Sequence, residues 1–287
     1  MLKSLLCAAG MAALFSSAVY AQELDSLLNV SAFTAESDLQ KQLNQATKVG
    51  SGVSLTTRET PGILSVITSE EIQNSGAREL VDVLRLIPGF DIAQDLQFVQ
   101  GLALRGNWAN EGKVLVLVDG QQMNELLYQT TAIGNRFALE LIERIEIIRG
   151  PGSAIYGGSA EYGVINIITK ASTLNGAMAY TTVGFNSNSV ARTNAGVMIA
   201  QNNGSNFSWD VTASMGKSNV TDGDYQDLLG DYPAINLSDN TNSDPKNLSA
   251  GLRYKGLSFR SMYDEFETGD PVTNVSYKLF FADLQYA

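Results

Sequence analysis

The chain has 287 residues, with 19 Lys and Arg against 30 Asp and Glu, a formal charge of −11. Only 17% of residues are charged and 44% are hydrophobic, which argues against wholesale disorder, and the acidity disfavours a general nucleic-acid binder. Histidine is absent and the single cysteine is Cys7, so His-dependent triads, imidazole metal sites, disulfides and thiol nucleophiles are all excluded from the mature chain.

Residues 1–21 open with Lys3, run through the apolar stretch Leu5 to Phe15 and end in Val19-Tyr20-Ala21. This is the pattern of a secretory signal peptide, and the apolar run is shorter than the roughly 18 to 20 residues a spanning helix needs. Residues 22–58 are a polar N-terminal segment in which Leu27 to Ala32 is a short β-prone stretch.

From Ile63 to about Lys170 the pattern mixes strands and helices. Ile63 to Ile67 reads as a strand, and Thr68-Ser69-Glu70-Glu71 sets a hydroxyl and a carboxylate three apart, as in a capping box. Glu70 and Glu71 fall in that helix's first turn, where the dipole accounts for them. Gly76 stops the helix. Arg78 to Ile87 carries Leu80, Val81, Val83, Leu84 and Ile87 at helical spacing before Pro88-Gly89. Val114 to Val118 followed by Asp119-Gly120 reads as a hairpin with a primed turn. Further strands are expected at 145–148 and 164–168. Gly150-Pro151-Gly152 and Gly157-Gly158 fit no phosphate loop, because no Lys-Ser or Lys-Thr follows.

After Lys170 the grammar changes to long alternating segments. In Phe207 to Gly216 every odd position is apolar and every even one is polar or glycine, which puts one face in an apolar medium and the other against something polar. Similar segments run over 177–184, 190–200, 248–255, 257–266 and 275–286, six strands in all. Their length suits the ~9 to 11 tilted residues that cross a bilayer better than the ~5 to 6 of a soluble sandwich. If the chain enters from the periplasm, the two longest connections, 218–247 and 267–274, both face outward, as they do in outer-membrane barrels. The acidic connection with Asp222, Asp224, Asp227, Asp231, Asp239 and Asp244 does not have the EF-hand spacing and reads as a solvated loop, so no metal site is expected.

An ordered series of segments carries a family resemblance. It comprises Glu59-Thr60-Pro61-Gly62-Ile63-Leu64-Ser65-Val66-Ile67-Thr68, Ser75 to Gly89 with its Leu-Ile-Pro-Gly end, Leu104-Arg105-Gly106, Val116-Leu117-Val118-Asp119-Gly120, Ile142 to Gly157 around Ile148-Arg149-Gly150-Pro151, and Gly163 to Lys170. Together they resemble the plug domain of TonB-dependent outer-membrane receptors over residues 59–170. The resemblance implies an α+β plug domain seated in an antiparallel transmembrane β-barrel of 22 strands, of which residues 171–287 supply about the first six; the barrel is truncated here, so the chain reads as a fragment of a longer product or as a natural truncation.

It further implies energised uptake of a scarce solute such as a ferric siderophore or cobalamin, with the TonB complex, outer-membrane lipid and the ferric chelate as partners, in a monomer exported through the Sec pathway to the outer membrane. The alternative is a truncated, non-transporting plug protein that acts as a periplasmic binding or interaction module. By resemblance Leu28, Asn29, Val30, Ser31 and Ala32 are the candidate TonB box, able to add as a strand to a partner's sheet edge. Arg105 and Arg149 would latch the plug to carboxylates of later barrel strands. Gln97, Phe98, Asn107, Trp108 and Tyr128 are the candidate substrate contacts, mixing hydrogen-bonding groups with rigid aromatic surface. No catalytic constellation is present, so neither an enzymatic activity nor a cofactor is expected.

Overall fold

The computed structural model describes residues 46–47, 55–56, 63–94, 100–109, 111–150, 156, 158–187, 189–202, 206–219, 221–226, 234–238, 241–269 and 274–286. The leader, the candidate TonB box at 28–32, and Gln97 and Phe98 lie outside them. Near the N-terminus β1 (Ala46–Thr47) pairs antiparallel with β2 (Leu55–Thr56).

The globular half begins with β3 (Leu64–Thr68) and α1 (Ser69–Ser75). The capping box forms as the spacing requires: Glu71 N donates to Thr68 Oγ1 at 3.3 Å and Thr68 N donates to Glu71 Oε2 at 2.8 Å. Gly76 then closes the helix. The second helix, α2 (Leu80–Leu84), is shorter than its apolar spacing predicts. After Leu84 the backbone tightens into three-residue bonds, Leu86 N to Val83 O and Ile87 N to Leu84 O, because the residue before Pro88 is driven out of the helical region.

Three strands follow that the sequence pattern does not announce, β4 (Phe90–Gln94), β5 (Gln100–Leu104) and β6 (Asn107–Trp108), forming their own antiparallel sheet. The two-residue turn between β5 and β6 is Arg105-Gly106, with φ of 53° and 78°, so the primed geometry sets an arginine at its tip.

Then come β7 (Val114–Val118), β8 (Gln121–Gln122), β9 (Ile142–Arg149) and β10 (Gly163–Thr169). With β3 they make a five-stranded sheet in the order β3-β9-β10-β7-β8, in which β10 and β7 are parallel and the other pairs antiparallel. Asp119-Gly120 makes the expected primed turn between β7 and β8, with φ of 48° and 85°. All five residues of β7 are buried, as a strand covered on both sheet faces must be. Val114, Val116 and Val118 join Leu80, Leu84 and Ile145 in the main core, and Leu115 and Leu117 pack with Ile148 and Val164 on the other face.

The second half is one antiparallel sheet of β11 (Gly176–Phe185), β12 (Val190–Gln201), β13 (Phe207–Ser218), β16 (Ser243–Tyr254), β17 (Leu257–Gly269) and β18 (Asn274–Tyr286) in that order. A small hairpin of β14 (Asp224–Tyr225) and β15 (Ile235–Asn236) stands in the connection after β13. All six predicted strands form, each 10 to 13 residues long. One begins earlier than its alternation indicates. β16 starts at Ser243, but its ladder with β13 stops at the Met215↔Lys246 pair, since Pro245 offers no N–H to continue it.

The alternation in this sheet is inverted relative to a soluble protein. In β12, Arg192, Asn194, Met198 and Ala200 are buried and Val197 and Ile199 exposed; in β13, Asp210 and Thr212 are buried and Phe207, Val211 and Met215 exposed. Polar side chains of one parity face the globular half, while Val183, Leu248, Leu252, Phe259, Phe280 and Leu284 stand on the open face. Close approaches of strands on the inner face rest on small residues: a Cβ on Gly251 would lie 2.3 Å from Asp210 Oδ1. No helix among the described residues is long and apolar enough to cross a membrane, so any crossing falls to these strands.

Candidate functional site

The chemistry of the described residues is concentrated where the globular half meets the inner face of the sheet. The apolar part of that contact comes from β17 and β18: Met262 belongs to the main core, and Leu279 and Phe281 pack against it. The polar part falls into three groups at different heights along the strands.

The first group is carried by the short 3-10 turn Gly134–Arg136. Arg136 Nη2 lies 2.6 Å and Nε 2.8 Å from Asp264 Oδ1 of β17, and the two side chains are only 2% and 3% exposed. The guanidinium also donates to the Met123 and Ala132 carbonyls, both at 3.4 Å. Beside it the amides of Asn135 and Asn194 pair reciprocally at 2.8 and 2.7 Å, and Asn135 N donates to Ser243 Oγ at 3.3 Å. A cavity of about 60 Å³ lies alongside, lined by Arg136, Thr212, Asn247 and Asp264 among others.

The second group is centred on the Asp119-Gly120 turn. Arg260 of β17 reaches Asp119 Oδ2 through Nη1 at 3.3 Å and Asp210 Oδ1 through Nη2 at 3.2 Å. Asp119 is itself held by Thr169, whose N donates to Oδ1 at 2.9 Å and whose Oγ1 donates to Oδ2 at 2.8 Å.

The third group involves β11 and β12. Arg192 Nη1 donates to the Arg78 carbonyl, and Thr182 Oγ1 donates to Glu140 Oε1 at 2.5 Å. A 410 Å³ cavity here is lined by Ile72, Arg78, Glu140, Met178 and Arg192, among others. Burial raises the Glu79 carboxyl above its ordinary value of 4.5, against a partial lowering by the Arg192 charge. For a carboxyl raised on folding, the stability it contributes is complete below the unfolded value near 4.5 and is lost as pH climbs through the higher folded value. Glu79→Gln is therefore expected to be more stable than the parent protein at pH 7 and to flatten the fall of the denaturation midpoint with pH above 4.5. A parallel slope in both proteins counts against this reading of Glu79.

The residues singled out from the sequence are placed differently. Arg105 Nη2 donates to the Arg149 carbonyl at 3.2 Å, and Arg149 Nη1 donates to the Pro88 carbonyl at 3.1 Å. The two arginines thus lie together on the globular half, held by its own backbone, and neither meets a wall carboxylate among the described residues. The carboxylates of the inner face are instead taken by Arg136 and Arg260, which the sequence reading did not single out. Asn107 donates to the Arg105 carbonyl at 3.3 Å, and Trp108 next to it is exposed. Tyr128 sits 68% exposed in a loop with Leu126 and Leu127. The Glu125 carboxylate holds that loop by accepting the N–H groups of Leu127 and Tyr128. Asn107 and Trp108 lie on one hairpin, while Tyr128 belongs to a separate loop. Charges at inner-face positions, Asp210, Arg260 and Asp264, are the one sequence signal that could have pointed to the contact.

A further cavity of about 940 Å³ lies at the end of the sheet where the long connections leave, lined by Thr193, Lys217, Asn219, Asp244 and Glu267 among others. Arg192 and the inner-facing Ser218 also line it, so this cavity adjoins the third group at Arg192. Among the described residues no group of three or more acidic side chains is arranged to hold a metal ion.

A globular α+β domain bonded to the polar inner face of a sheet that is apolar outside defines a plugged barrel wall. Residues 56–164 match the sequence model of the TonB-dependent receptor plug domain. Over 108 residues, 38% of this chain and 18% of the relative, the sequence is 37% identical to the vitamin B12 transporter BtuB of Vibrio vulnificus. Among solved structures it resembles the siderophore receptor PirA of Acinetobacter baumannii, with a TM-score of 0.57 and 23% identity over 75% of this chain and 33% of that one. The ferric enterobactin receptor PfeA of Pseudomonas aeruginosa gives 0.54 and 23% over 74% and 33%. The chain thus spans about a third of the length of these structures. It carries the plug domain of TonB-dependent receptors, followed by antiparallel strands with the fold of their barrel wall.

Proposed function

We propose that the chain is the N-terminal portion of a TonB-dependent outer-membrane transporter that takes up a scarce solute, a ferric siderophore or cobalamin. The observation that carries this reading is the inverted sheet: six strands long enough to cross a bilayer, apolar outside, with a polar inner face bonded to a plug. A wide barrel with a polar lumen leaks unless it is filled, and a plug that fills it must be moved on command to pass solute.

In this reading the outer face of the wall meets outer-membrane lipid. Phe207, Tyr254, Leu257 and Tyr286 are register neighbours across β13, β16, β17 and β18, with the Phe207 and Tyr254 rings edge to face at 6.5 Å. Phe207, Tyr254 and Tyr286 form the aromatic row of the periplasmic interface, with Leu257 between the two tyrosines. The connection between β13 and β16 then faces the outside. Leu28 to Ala32 serve as the TonB-contacting segment, and Asn107, Trp108 and Tyr128 meet solute on the plug, together with Gln97 and Phe98. Arg105 and Arg149, which have no carboxylate among the described residues, are latch residues for strands beyond the six. The leader sends the protein through the Sec pathway, and the assembled receptor works as a monomer.

The test is uptake of labelled ferric chelate or cobalamin by cells carrying the full-length protein. Uptake is expected to stop on deletion of residues 27–32 while solute binding at the cell surface persists. Uptake that survives the deletion removes the TonB assignment. A protein that shows no heat-modifiable migration on a gel and no uptake is a non-transporting plug module.

A further inference from the structure

We propose that Arg260 is a hand-over arm that lets the plug leave the wall without exposing an unpaired charge on either side. The proposal rests on the reading of the chain as a transporter with a movable plug. In the docked state one guanidinium serves two carboxylates at once, Asp119 of the plug through Nη1 at 3.3 Å and Asp210 of the wall through Nη2 at 3.2 Å. The planar fork of arginine can do this, whereas a lysine ammonium presents a single point charge. Asp210 uses only one of its oxygens: Oδ2 is buried and has no partner among the described residues. When Asp119 withdraws, Nη1 is freed to turn toward that vacant oxygen, and the Arg260–Asp210 contact then becomes a two-point fork, the stronger form of this pair. Asp119 is equally provided for. It moves with the plug, and the N and Oγ1 of Thr169, also on the plug, keep both of its oxygens bonded. The space for the exchange comes from Gly251 on the neighbouring strand, where any Cβ would lie 2.3 Å from Asp210 Oδ1 and 3.0 Å from Arg260 Nη2.

The contrast with the other ionic contact sharpens the assignment. If Arg136 withdraws, Asp264 keeps among the described residues only the neutral Asn247 amide at 3.4 Å, so that bond resists separation. Arg136–Asp264 is the lock, and Asp119–Arg260–Asp210 is the catch that opens without a desolvated charge left behind.

The experiment is a single-molecule pull on the N-terminal segment of the full-length protein in a lipid bilayer, reading the rate of plug release at constant force. Neither solute nor TonB is needed. If Arg260 hands over, Asp210→Asn leaves the docked Asp119–Arg260 bond intact and removes the acceptor that follows, so release slows by about tenfold, less than a fully buried unpaired charge would cost because Arg260 keeps some solvent contact. If Asp210 only braces the interface, the same change loosens the plug and release quickens, which overturns the proposal, as does an unchanged rate. Asp210→Glu retains a carboxylate and is expected to release at the parent rate; a slowing like that of Asp210→Asn counts against the exchange. Asp119→Asn, on the plug side of the contact, reads the other arm even where the wall variant fails to fold. It is expected to release faster, and an unchanged rate shows that Asp119 was never latched. A parent protein with no discrete release event sinks the movable-plug reading and the hand-over with it, whereas a discrete event unslowed by Asp210→Asn sinks the hand-over alone.

Discussion

Asp264→Asn is expected to weaken docking of the plug by about 3–5 kcal/mol, the cost of breaking a buried ion pair from one side. The reason lies in what the change leaves behind. Arg136 is 2% exposed and its Nε and Nη2 both point at Asp264 Oδ1; without the carboxylate the guanidinium keeps only two carbonyls at 3.4 Å. A neutral amide in place of the carboxylate cannot balance that charge. The measurement is denaturant unfolding of the protein in detergent, followed separately in the two halves. The chain has two tryptophans, Trp108 on the plug and Trp209 on the wall, so Trp209→Phe leaves a reporter on the plug alone. The plug transition should move to lower denaturant, with the wall transition little changed. Arg136→Met combined with Asp264→Leu removes both charges and should recover most of the loss, because two apolar groups of similar size replace a pair whose desolvation was itself expensive. A double variant as unstable as Asp264→Asn shows that the energy lies in packing of the 3-10 turn instead of in the charge.

That ion pair was not legible in the sequence, whereas the strands that carry half of it were. Alternation is a local signal: Phe207 to Gly216 announces an inner and an outer face within ten residues, and β11 to β18 follow it closely. The capping box at Thr68 and Glu71 and the primed turn at Asp119-Gly120 are local in the same sense, each fixed by the backbone needs of a few residues. Arg136 and Asp264 are 128 positions apart, and nothing in Ile133-Gly134-Asn135-Arg136-Phe137 says where its cation will find a partner. Asp119 illustrates the limit from the other direction: the sequence shows why an Asp-Gly pair turns the chain there, and only the fold shows that its carboxylate meets Arg260. The β4–β6 sheet is not legible in the sequence because Phe90-Asp91-Ile92-Ala93-Gln94 and Gln100-Gly101-Leu102-Ala103-Leu104 lack β-branched runs, so that tertiary pairing decides what propensity leaves open. Arg105 and Arg149 were found by resemblance, and the structure adds that they form one cluster on the plug, joined through backbone carbonyls at Arg149 and Pro88.

Val211→Arg is expected to cost about 2–4 kcal/mol in lipid, the penalty for a cation on the outer face near the bilayer midplane. Val211 is 42% exposed and lies in the middle of β13, paired with Ile199 and Ala250. Outer-face neighbours such as Val197, Ile199, Leu248 and Leu252 present no polar group to receive a guanidinium. In a protein surrounded by water the same change at an exposed position would be worth no more than about 0.5 kcal/mol in either direction, and it would relieve apolar exposure. The sign and size of this one substitution thus separate the two media. The measurement is reversible folding into lipid vesicles, comparing Val211→Arg with Val211→Ala, which removes the side chain without adding charge. A large penalty for arginine over alanine places β13 against hydrocarbon. Equal stabilities would mean that water lies on the outer face, and an apolar surface running through Val183, Val197, Ile199, Leu248, Phe259 and Leu284 would then have to be covered by protein.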